Sequence, residues 1–292
     1  MNEPQYSTPA TLEEVLRIKE QYGADARVVA GGTDLILRMR DRILYPAVLL
    51  DLRHLSLDRI SVRPGEISIG ASVTHADLMA NADIVRQLPA LVEACKWFAG
   101  PPIRNRATVA GNIVNASPAA DLVPPLVAYD ASVVLMSSSG RRVVALSEFF
   151  TAPGRTVLKA DEILHEVVVP RPPEDTVVTF TKLGQRQSMA ISTVNISTRI
   201  TLGPDGRVSS ARIVIGSVAP TVFRALAAEA VLNAEAPSVE RIAEAARSAG
   251  REISPISDVR STAHYRRRVT EALVRRALTT TWHQLRGATP HV

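Results

Sequence analysis

The chain has 292 residues, of which 46% are hydrophobic and 22% are charged, and its formal net charge at pH 7 is +5. This length and composition allow two or three units with real cores and exclude an intrinsically disordered protein. No apolar stretch approaches the ~20 residues that span a bilayer, so we expect a cytoplasmic protein. Cys95 is the single cysteine. An iron–sulfur or zinc site held by four thiolates is therefore excluded on this chain and must lie on a partner.

The N-terminal region predicts a capped helix. Thr11 and Glu14 have the spacing of a capping box, and Leu12, Val15 and Leu16 follow at helical spacing. Gly23 is a typical stop. We therefore expect the first helix from about residue 12 to residue 22.

A glycine loop follows a short apolar strand over residues 27–30. The chain turns at Gly31 and Gly32, and Thr33 or Asp34 can cap the next helix. A strand, a glycine turn and a helix in this order present backbone N–H groups to an anion, because glycine lets the main chain approach closely. A glycine pair before a helix is also a common tight turn, so this loop alone is weak evidence for a phosphate site.

The next segment predicts a strand over residues 48–51, a hairpin over 58–70 and a helix that begins near residue 74. His75 is interpreted as a first-turn or capping residue rather than a catalytic base, because no acid or nucleophile is near it in sequence. Cys95 lies in an apolar helical stretch, which indicates a buried residue and not a nucleophile.

A second glycine loop, residues 108–113, comes about eighty residues after the first. Like the first loop it adjoins apolar residues and lacks the lysine of a P-loop. Asn after Gly is often only a turn residue, but two such loops fit a diphosphate ester that lies along both. Together they predict a dinucleotide cofactor.

The remaining elements divide into two groups on either side of the proline-rich segment 170–173, which predicts a boundary. Before it we expect strands over 132–136, 142–145 and 167–169. After it we expect strands over 177–183, 191–202 and 207–215, then helices over 223–232, 239–249 and 259–285. Strands followed by helices indicate a separate α+β lobe. Arginines cluster on the last helix, where they indicate a solvated face or a contact with an acidic partner, with nucleic acid as a minor alternative.

With these residues in view, the chain resembles the FAD-binding medium subunit of the molybdenum hydroxylases, a group that includes xanthine dehydrogenase and bacterial carbon monoxide dehydrogenase. The similarity runs nearly from end to end. Its matching stretches are residues 30–35, 97–100, 103–112, 116–121, 161–164, 182–186, 219–221 and 265–266.

The resemblance implies an α+β fold. It implies an FAD-binding domain over residues 1–174, with subdomains of about 1–56 and 57–174, and a C-terminal domain over 177–292. FAD is expected in the cleft between the two N-terminal subdomains. It is expected to be noncovalent, because neither loop carries a His or Cys placed to attach it.

By the same resemblance, both loops hold the FAD pyrophosphate through backbone N–H groups. The residues assigned to FAD in the loops are Val28, Val29, Ala30, Gly31, Gly32, Thr33, Asp34, Leu35, Thr108, Val109, Ala110, Gly111 and Asn112. The second loop departs from the family, which usually has glycine where Ala110 stands and often has it where Ala107 stands. A positive φ at Ala110 would cost about 1 kcal/mol, and a negative φ would make the substitution harmless.

Four residues outside the loops complete the site that the resemblance implies. Asp121 accepts hydrogen bonds from the sugar or nearby polar groups of FAD, Phe98 packs near the flavin, and Leu164 and Lys182 line the flavin site. The charge of Lys182 could also stabilise an anionic reduced flavin. Plain structural interpretations stand beside these: a helix or turn cap for Asp121, core for Phe98 and Leu164, and a solvent-facing position for Lys182. Residues 189–215 contain no aromatic side chain to cover the flavin, which leaves Met189, Ile191 or another chain for that role.

The resemblance implies an oxidoreductase subunit that transfers electrons and has no catalytic residue or metal site of its own. The molybdenum cofactor would lie on a large subunit, and two [2Fe–2S] clusters on a small subunit would pass electrons to FAD and on to NAD⁺, a quinone or another acceptor. A dimer of heterotrimers is the simplest assembly. Two alternatives stay open: a stand-alone FAD oxidoreductase, and a nucleotide-binding assembly protein without enzymatic activity.

Overall fold

The computed structural model describes residues 3–186 and 189–287. Its N-terminal part is a small parallel sheet, in which β1 (Gln5–Ser7), β2 (Ala26–Val29) and β3 (Val48–Asp51) are arranged in the order β1-β3-β2. Helix α1 (Leu12–Tyr22) has the expected bounds, and the Thr11 side chain accepts a hydrogen bond from the Glu14 N–H. The first glycine loop joins β2 to α2 (Leu35–Arg40).

A five-stranded antiparallel sheet follows, in the order β4-β5-β10-β6-β7. Its strands are β4 (Ile60–Arg63), β5 (Glu66–Gly70), β6 (Ser132–Ser137), β7 (Gly140–Ala145) and β10 (Ile163–Pro170). The hairpin of β8 (Phe150–Ala152) and β9 (Arg155–Thr156) lies between β7 and β10 in the chain. The hairpin expected over 58–70 is therefore present as β4 and β5.

Short helices fill the connection between β5 and β6. They are α3 (His75–Ala80), α4 (Ala82–Gln87), α5 (Pro89–Trp97), α6 (Pro101–Arg104), α7 (Val109–Val114) and α8 (Val123–Ala128). One hydrophobic core joins these helices to both sheets and includes Val15, Leu50, Leu91 and Val167. Cys95 is buried in α5, and burial raises its pKa to about 12, so its thiol is a poor nucleophile.

The second half has its own antiparallel sheet, in the order β11-β12-β13-β14. Its strands are β11 (Thr176–Leu183), β12 (Val194–Leu202), β13 (Val208–Gly216) and β14 (Phe223–Arg224). Helices α9 (Leu226–Leu232), α10 (Val239–Glu252) and α11 (Ala263–Leu285) complete it. A second core, which includes Ile196, Ala245 and Leu278, lies between this sheet and these helices.

Two expected helix starts are wrong. Phe223 and Arg224 were expected in a helix but pair with Ile215 and Val214 as an edge strand. The last helix was expected from residue 259 but begins at residue 263, because Asp258 and Ser261 close a tight turn before it. Within the described residues, no helix is long and apolar enough to cross a membrane.

Candidate functional site

The first glycine loop lies against residues 106–107, which lead directly into the second glycine loop. A Cβ added to Gly31 would overlap the carbonyl oxygen of Arg106 and lie 3.1 Å from the Cα of Ala107. Gly32 has φ of 71°, a left-handed conformation that favours glycine. Gly31 is therefore required for the close approach to Arg106, and Gly32 for its left-handed backbone conformation. Loops far apart in sequence become adjoining parts of one surface.

The first loop presents open backbone N–H groups. Val28 and Val29 end β2, Ala30 leads out of the strand, and Leu35 opens α2. Between them, the N–H groups of residues 31–34 donate no hydrogen bond within the described part of the chain. Successive free N–H groups of this kind form a concavity that binds anions. Asp34 precedes α2, and its side chain makes no capping hydrogen bond.

The second loop is built differently, because most of its N–H groups already have acceptors. The donor–acceptor pairs are Val109 to Val73 O at 2.9 Å, Ala110 to Ala71 O at 3.4 Å, Gly111 to Thr108 Oγ1 at 3.1 Å and Asn112 to Thr108 O at 3.0 Å. The loop is therefore fixed to the segment before α3, and the expectation that these N–H groups hold a pyrophosphate gains no support from the geometry. The available polar group here is the Asn112 amide, whose Oδ1 is buried without a hydrogen-bond partner among the described residues.

The departure at Ala110 causes no strain. Ala110 lies in helix α7 and is not among the residues with positive φ. Its Cβ is therefore tolerated at this position.

A cleft of about 330 Å³ opens beside the second loop. Phe98, Asn112 and Asp121 line it from the N-terminal half, and Met189 and Ile191 line it from the segment after β11. The sequence interpretation placed FAD between the two N-terminal subdomains, but this cleft is lined by residues 98–121 and by residues 189–191 of the C-terminal half, with no lining residue from the described part of 1–56. Met189 and Ile191 are exposed and apolar, at 63% and 55%, so they are available to cover a bound ring.

Unusual backbone conformations gather around this cleft. Ala99 and Met189 line it, and their φ values are 39° and 54°. Ala116 has φ of 49°, and Ser217, with φ of 66°, donates its N–H to Pro118 O. Residues without glycine's freedom adopt such conformations only where the surrounding structure enforces them, and these positions cluster at functional sites.

A buried ion pair joins the two halves of the fold at the cleft. Lys182 Nζ lies 2.6 Å from Asp121 Oδ2, and the side chains are only 2% and 6% exposed. The other oxygen, Oδ1, accepts hydrogen bonds from Ser192 Oγ at 2.6 Å and Asn195 Nδ2 at 2.8 Å. Asp121 is therefore no helix cap, and Lys182 does not face solvent. Protein donors occupy three of about four acceptor positions on the carboxylate, which leaves little capacity for a cofactor sugar.

Leu164 lies in the core rather than in the cleft lining. It is 5% exposed on β10, opposite Leu135, at a register shift in the strand pairing. The geometry therefore favours a role in the core for Leu164 over a role in lining the flavin site.

Phe98 is held on the cleft by a contact that the sequence did not reveal. Its ring stacks on His75 with ring centroids 4.0 Å apart and an interplanar angle of 15°. His75 is fully buried, and its Nδ1 lies 2.8 Å from Ala107 O. Burial lowers the pKa of His75 to about 4, so the imidazole is neutral at pH 7. Helix α3 is capped by Thr74 with Asp77, so His75 begins the helix but does not cap it.

Known proteins match the chain over nearly its whole length. The sequence profile of the family described as the FAD binding domain in molybdopterin dehydrogenase matches residues 2–172. This chain belongs to that family. Residues 179–281 match the family described as the CO dehydrogenase flavoprotein C-terminal domain.

Relatives of this flavoprotein are similar in sequence and in structure. The carbon monoxide dehydrogenase medium chain of Hydrogenophaga pseudoflava is 31% identical over 280 residues, 95% of this chain and 96% of that one. The alpha subunit of the 6-hydroxypseudooxynicotine dehydrogenase complex of Paenarthrobacter nicotinovorans is 32% identical over 283 residues, 96% of this chain and 95% of that one. A carbon monoxide dehydrogenase structure from H. pseudoflava superposes with a TM-score of 0.93 at 32% identity and covers 97% of this chain and 98% of that one. The resemblance drawn from the motifs and the α+β fold are confirmed.

The residues present fit FAD. The overlap at Gly31 shows that no side chain fits between the first loop and the Arg106 backbone. The open N–H groups of residues 31–34 suit a diphosphate, and the unpartnered Asn112 Oδ1 suits a hydroxyl or N–H of the cofactor. The same chain offers no cluster of three or more metal-binding side chains within its described residues.

Proposed function

We propose that this chain is the FAD-binding electron-transfer subunit of a heteromeric molybdenum-containing hydroxylase or dehydrogenase. The observation that carries the proposal is the contact of the first glycine loop with residues 106–107, which brings the open N–H groups of residues 31–34 close to the start of the second loop. When bound, FAD supplies the electron-accepting and electron-donating chemistry. Two similar proteins are a carbon monoxide dehydrogenase medium chain and the nicotine 6-hydroxylase medium subunit of P. nicotinovorans. Both are medium subunits of such enzymes, which supports this function.

The chain's own residues have separate tasks in this proposal. The N–H groups from Gly31 to Asp34 bind the diphosphate, and the strand end and helix start at Val28, Val29, Ala30 and Leu35 hold that loop in shape. Thr108, Val109, Ala110 and Gly111 fix the second loop to the segment before α3, and Asn112 accepts a hydrogen bond from the cofactor. Phe98, Met189 and Ile191 exclude water from the flavin. Asp121 and Lys182 fix the cleft walls, and Leu164 supports them from the core.

The partners are part of the proposal. An iron–sulfur subunit with two [2Fe–2S] clusters would donate electrons to this chain, and a large subunit with the molybdenum cofactor would oxidise the substrate. The single cysteine supports this division, because four thiolates are needed for such a cluster. We further propose a cytoplasmic dimer of heterotrimers, which native mass spectrometry of the complex would test.

Gly31→Ala tests the proposed role of the glycine loops. The added Cβ must push the first loop away from Arg106, and overpacking of this kind costs about 1–3 kcal/mol. We expect FAD affinity to fall about tenfold or more. The measurement is a titration of the flavin-free full chain with FAD, followed by flavin fluorescence.

Gly65→Asn is the matched control. Gly65, unlike Gly31, has a positive φ, 83°, and an added Cβ there would meet nothing within 4 Å. Asn tolerates this conformation, so the control should bind FAD like the unmodified chain. Equal FAD affinity in Gly31→Ala and in the unmodified chain would contradict the assigned loop.

A further inference from the structure

The turn that carries Phe98 is fixed by two cations. This turn, residues 97–100 and here called the Phe98 turn, joins α5 to α6. Lys182 Nζ donates to Trp97 O at 3.2 Å, and Arg104 Nη1 donates to Phe98 O at 3.0 Å and Ala99 O at 3.3 Å. Hydrogen bonds from charged donors are stronger than neutral ones. These bonds therefore fix the backbone of the turn, and Phe98 lines the cleft.

The ring of Phe98 is supported separately by His75. The stacked arrangement covers one face of the Phe98 ring, and Phe98 lines the cleft. Because a carbonyl oxygen only accepts, the contact with Ala107 O places the proton of the neutral imidazole on Nδ1. Nε2 then has a lone pair, yet it is buried and has no hydrogen-bond partner among the described residues.

The unsatisfied Nε2 is a cost of the imidazole, and the stack on Phe98 does not depend on it. A phenylalanine would give the same stack without that cost, and the Ala107 carbonyl would keep the bond it accepts from the His75 backbone N–H at 3.1 Å. The imidazole adds a second link to Ala107, whose Cα lies against Gly31 where the two glycine loops meet. His75 therefore connects the Phe98 ring to the loop contact. The charged groups that act on it are Asp121 and Arg104.

We propose that His75 is a positioning residue for the flavin, whose stacked ring holds Phe98 in the orientation that packs against the bound cofactor. This inference rests on the proposed function. His75 does not itself contact FAD in this proposal. It acts through Phe98, and its ring matters more than its hydrogen bond.

Two substitutions separate the ring from the hydrogen bond. His75→Asn keeps an N–H that reaches Ala107 O but removes the ring, and His75→Phe keeps a ring but removes the donor. We expect His75→Asn to weaken FAD binding about threefold to tenfold, the range of a lost aromatic pair, and to change the visible circular dichroism of the flavin. We expect His75→Phe to bind FAD within about twofold of the unmodified chain.

A double-mutant cycle tests whether His75 acts through Phe98. In a Phe98→Ala background, the loss caused by His75→Asn should disappear, because the ring it supports is gone. Ile242→Ala, in the second core, controls for lowered stability and should leave the flavin spectrum unchanged. Thermal unfolding of each variant shows that it folds before FAD is added.

Three results would overturn the inference: an unchanged affinity and spectrum in His75→Asn, an equal loss in His75→Phe, or a loss that persists in the Phe98→Ala background. An unmodified chain that binds no FAD would instead overturn the proposed function, so the two failures are distinguishable.

Discussion

Lys182 illustrates how tertiary contacts change the role that a motif suggests for a residue. In the sequence interpretation its charge stabilises an anionic reduced flavin. In the structure the Asp121 carboxylate balances that charge at 2.6 Å, and the Trp97 carbonyl takes a further N–H. The pair contributes little net charge to the cleft and joins its two walls. Its main effect is therefore on the assembly of the cleft rather than on its electrostatic potential.

Lys182→Met should destabilise the chain strongly. The substitution leaves the buried Asp121 carboxylate without a cation, and breaking a buried pair in this way costs about 3–5 kcal/mol. Guanidinium unfolding of the full chain measures the loss. Asp121→Asn combined with Lys182→Met removes both charges and should recover most of it.

The matched control for this substitution is Lys96→Met, which removes a surface lysine with a side chain that is 57% exposed. It should cost less than about 1 kcal/mol. A double variant no more stable than Lys182→Met would contradict the role given to the pair. A flavin midpoint potential unchanged in Lys182→Met would exclude the electrostatic role that the sequence suggested.

Helix α11 is docked through its first turn as well as through its apolar face. Arg266 is 3% exposed and donates from Nη1 to Thr193 O at 2.9 Å and Ser217 O at 2.7 Å, and from Nη2 to Asp258 Oδ1 at 2.8 Å. Thr193 follows the segment that carries Met189 and Ile191. The helix therefore holds the C-terminal wall of the cleft. The arginines of this helix, Arg266 among them, were expected on a solvated face or in contact with an acidic partner. Because Arg266 is buried, that interpretation is wrong for this residue.

Arg266→Met should detach this wall from the helix. It removes the donor from two carbonyls, and we expect a loss of about 3 kcal/mol in unfolding free energy, since bonds to charged groups contribute about 1.5–3 kcal/mol each. Arg267→Met, one position along and exposed, is the control and should change stability by less than about 0.5 kcal/mol. Chemical unfolding of both variants makes the comparison, and equal losses would contradict the docking role.

Element prediction succeeded where local signals decide. Helix α1 has the expected bounds because its cap residue and its stop glycine are both local. The helix over 223–232 was predicted to begin too early. Phe223 and Arg224 pair with the edge of β13 as a strand, and no local signal marks that pairing.

At the scale of the whole molecule, the sequence predicted the family, the α+β fold and the cofactor, because the glycine loops are continuous stretches of chain. It could not predict contacts between distant segments. The ion pair of Asp121 and Lys182, 61 positions apart, and the stack of His75 on Phe98 both arise only when the chain folds. The second loop is the clearest case: its N–H groups look free in sequence, but the fold supplies acceptors for them.

The central claim is that this chain carries the FAD of a complex whose metal cofactors lie on other subunits. The most direct test is the FAD, iron and molybdenum content of the complex recovered from its native host by a tag on this chain. The account predicts about one FAD, four irons and one molybdenum per copy of the chain. FAD without metals would contradict the assembly and indicate a stand-alone flavoprotein, and metal-bearing partners without flavin would contradict the role of both glycine loops.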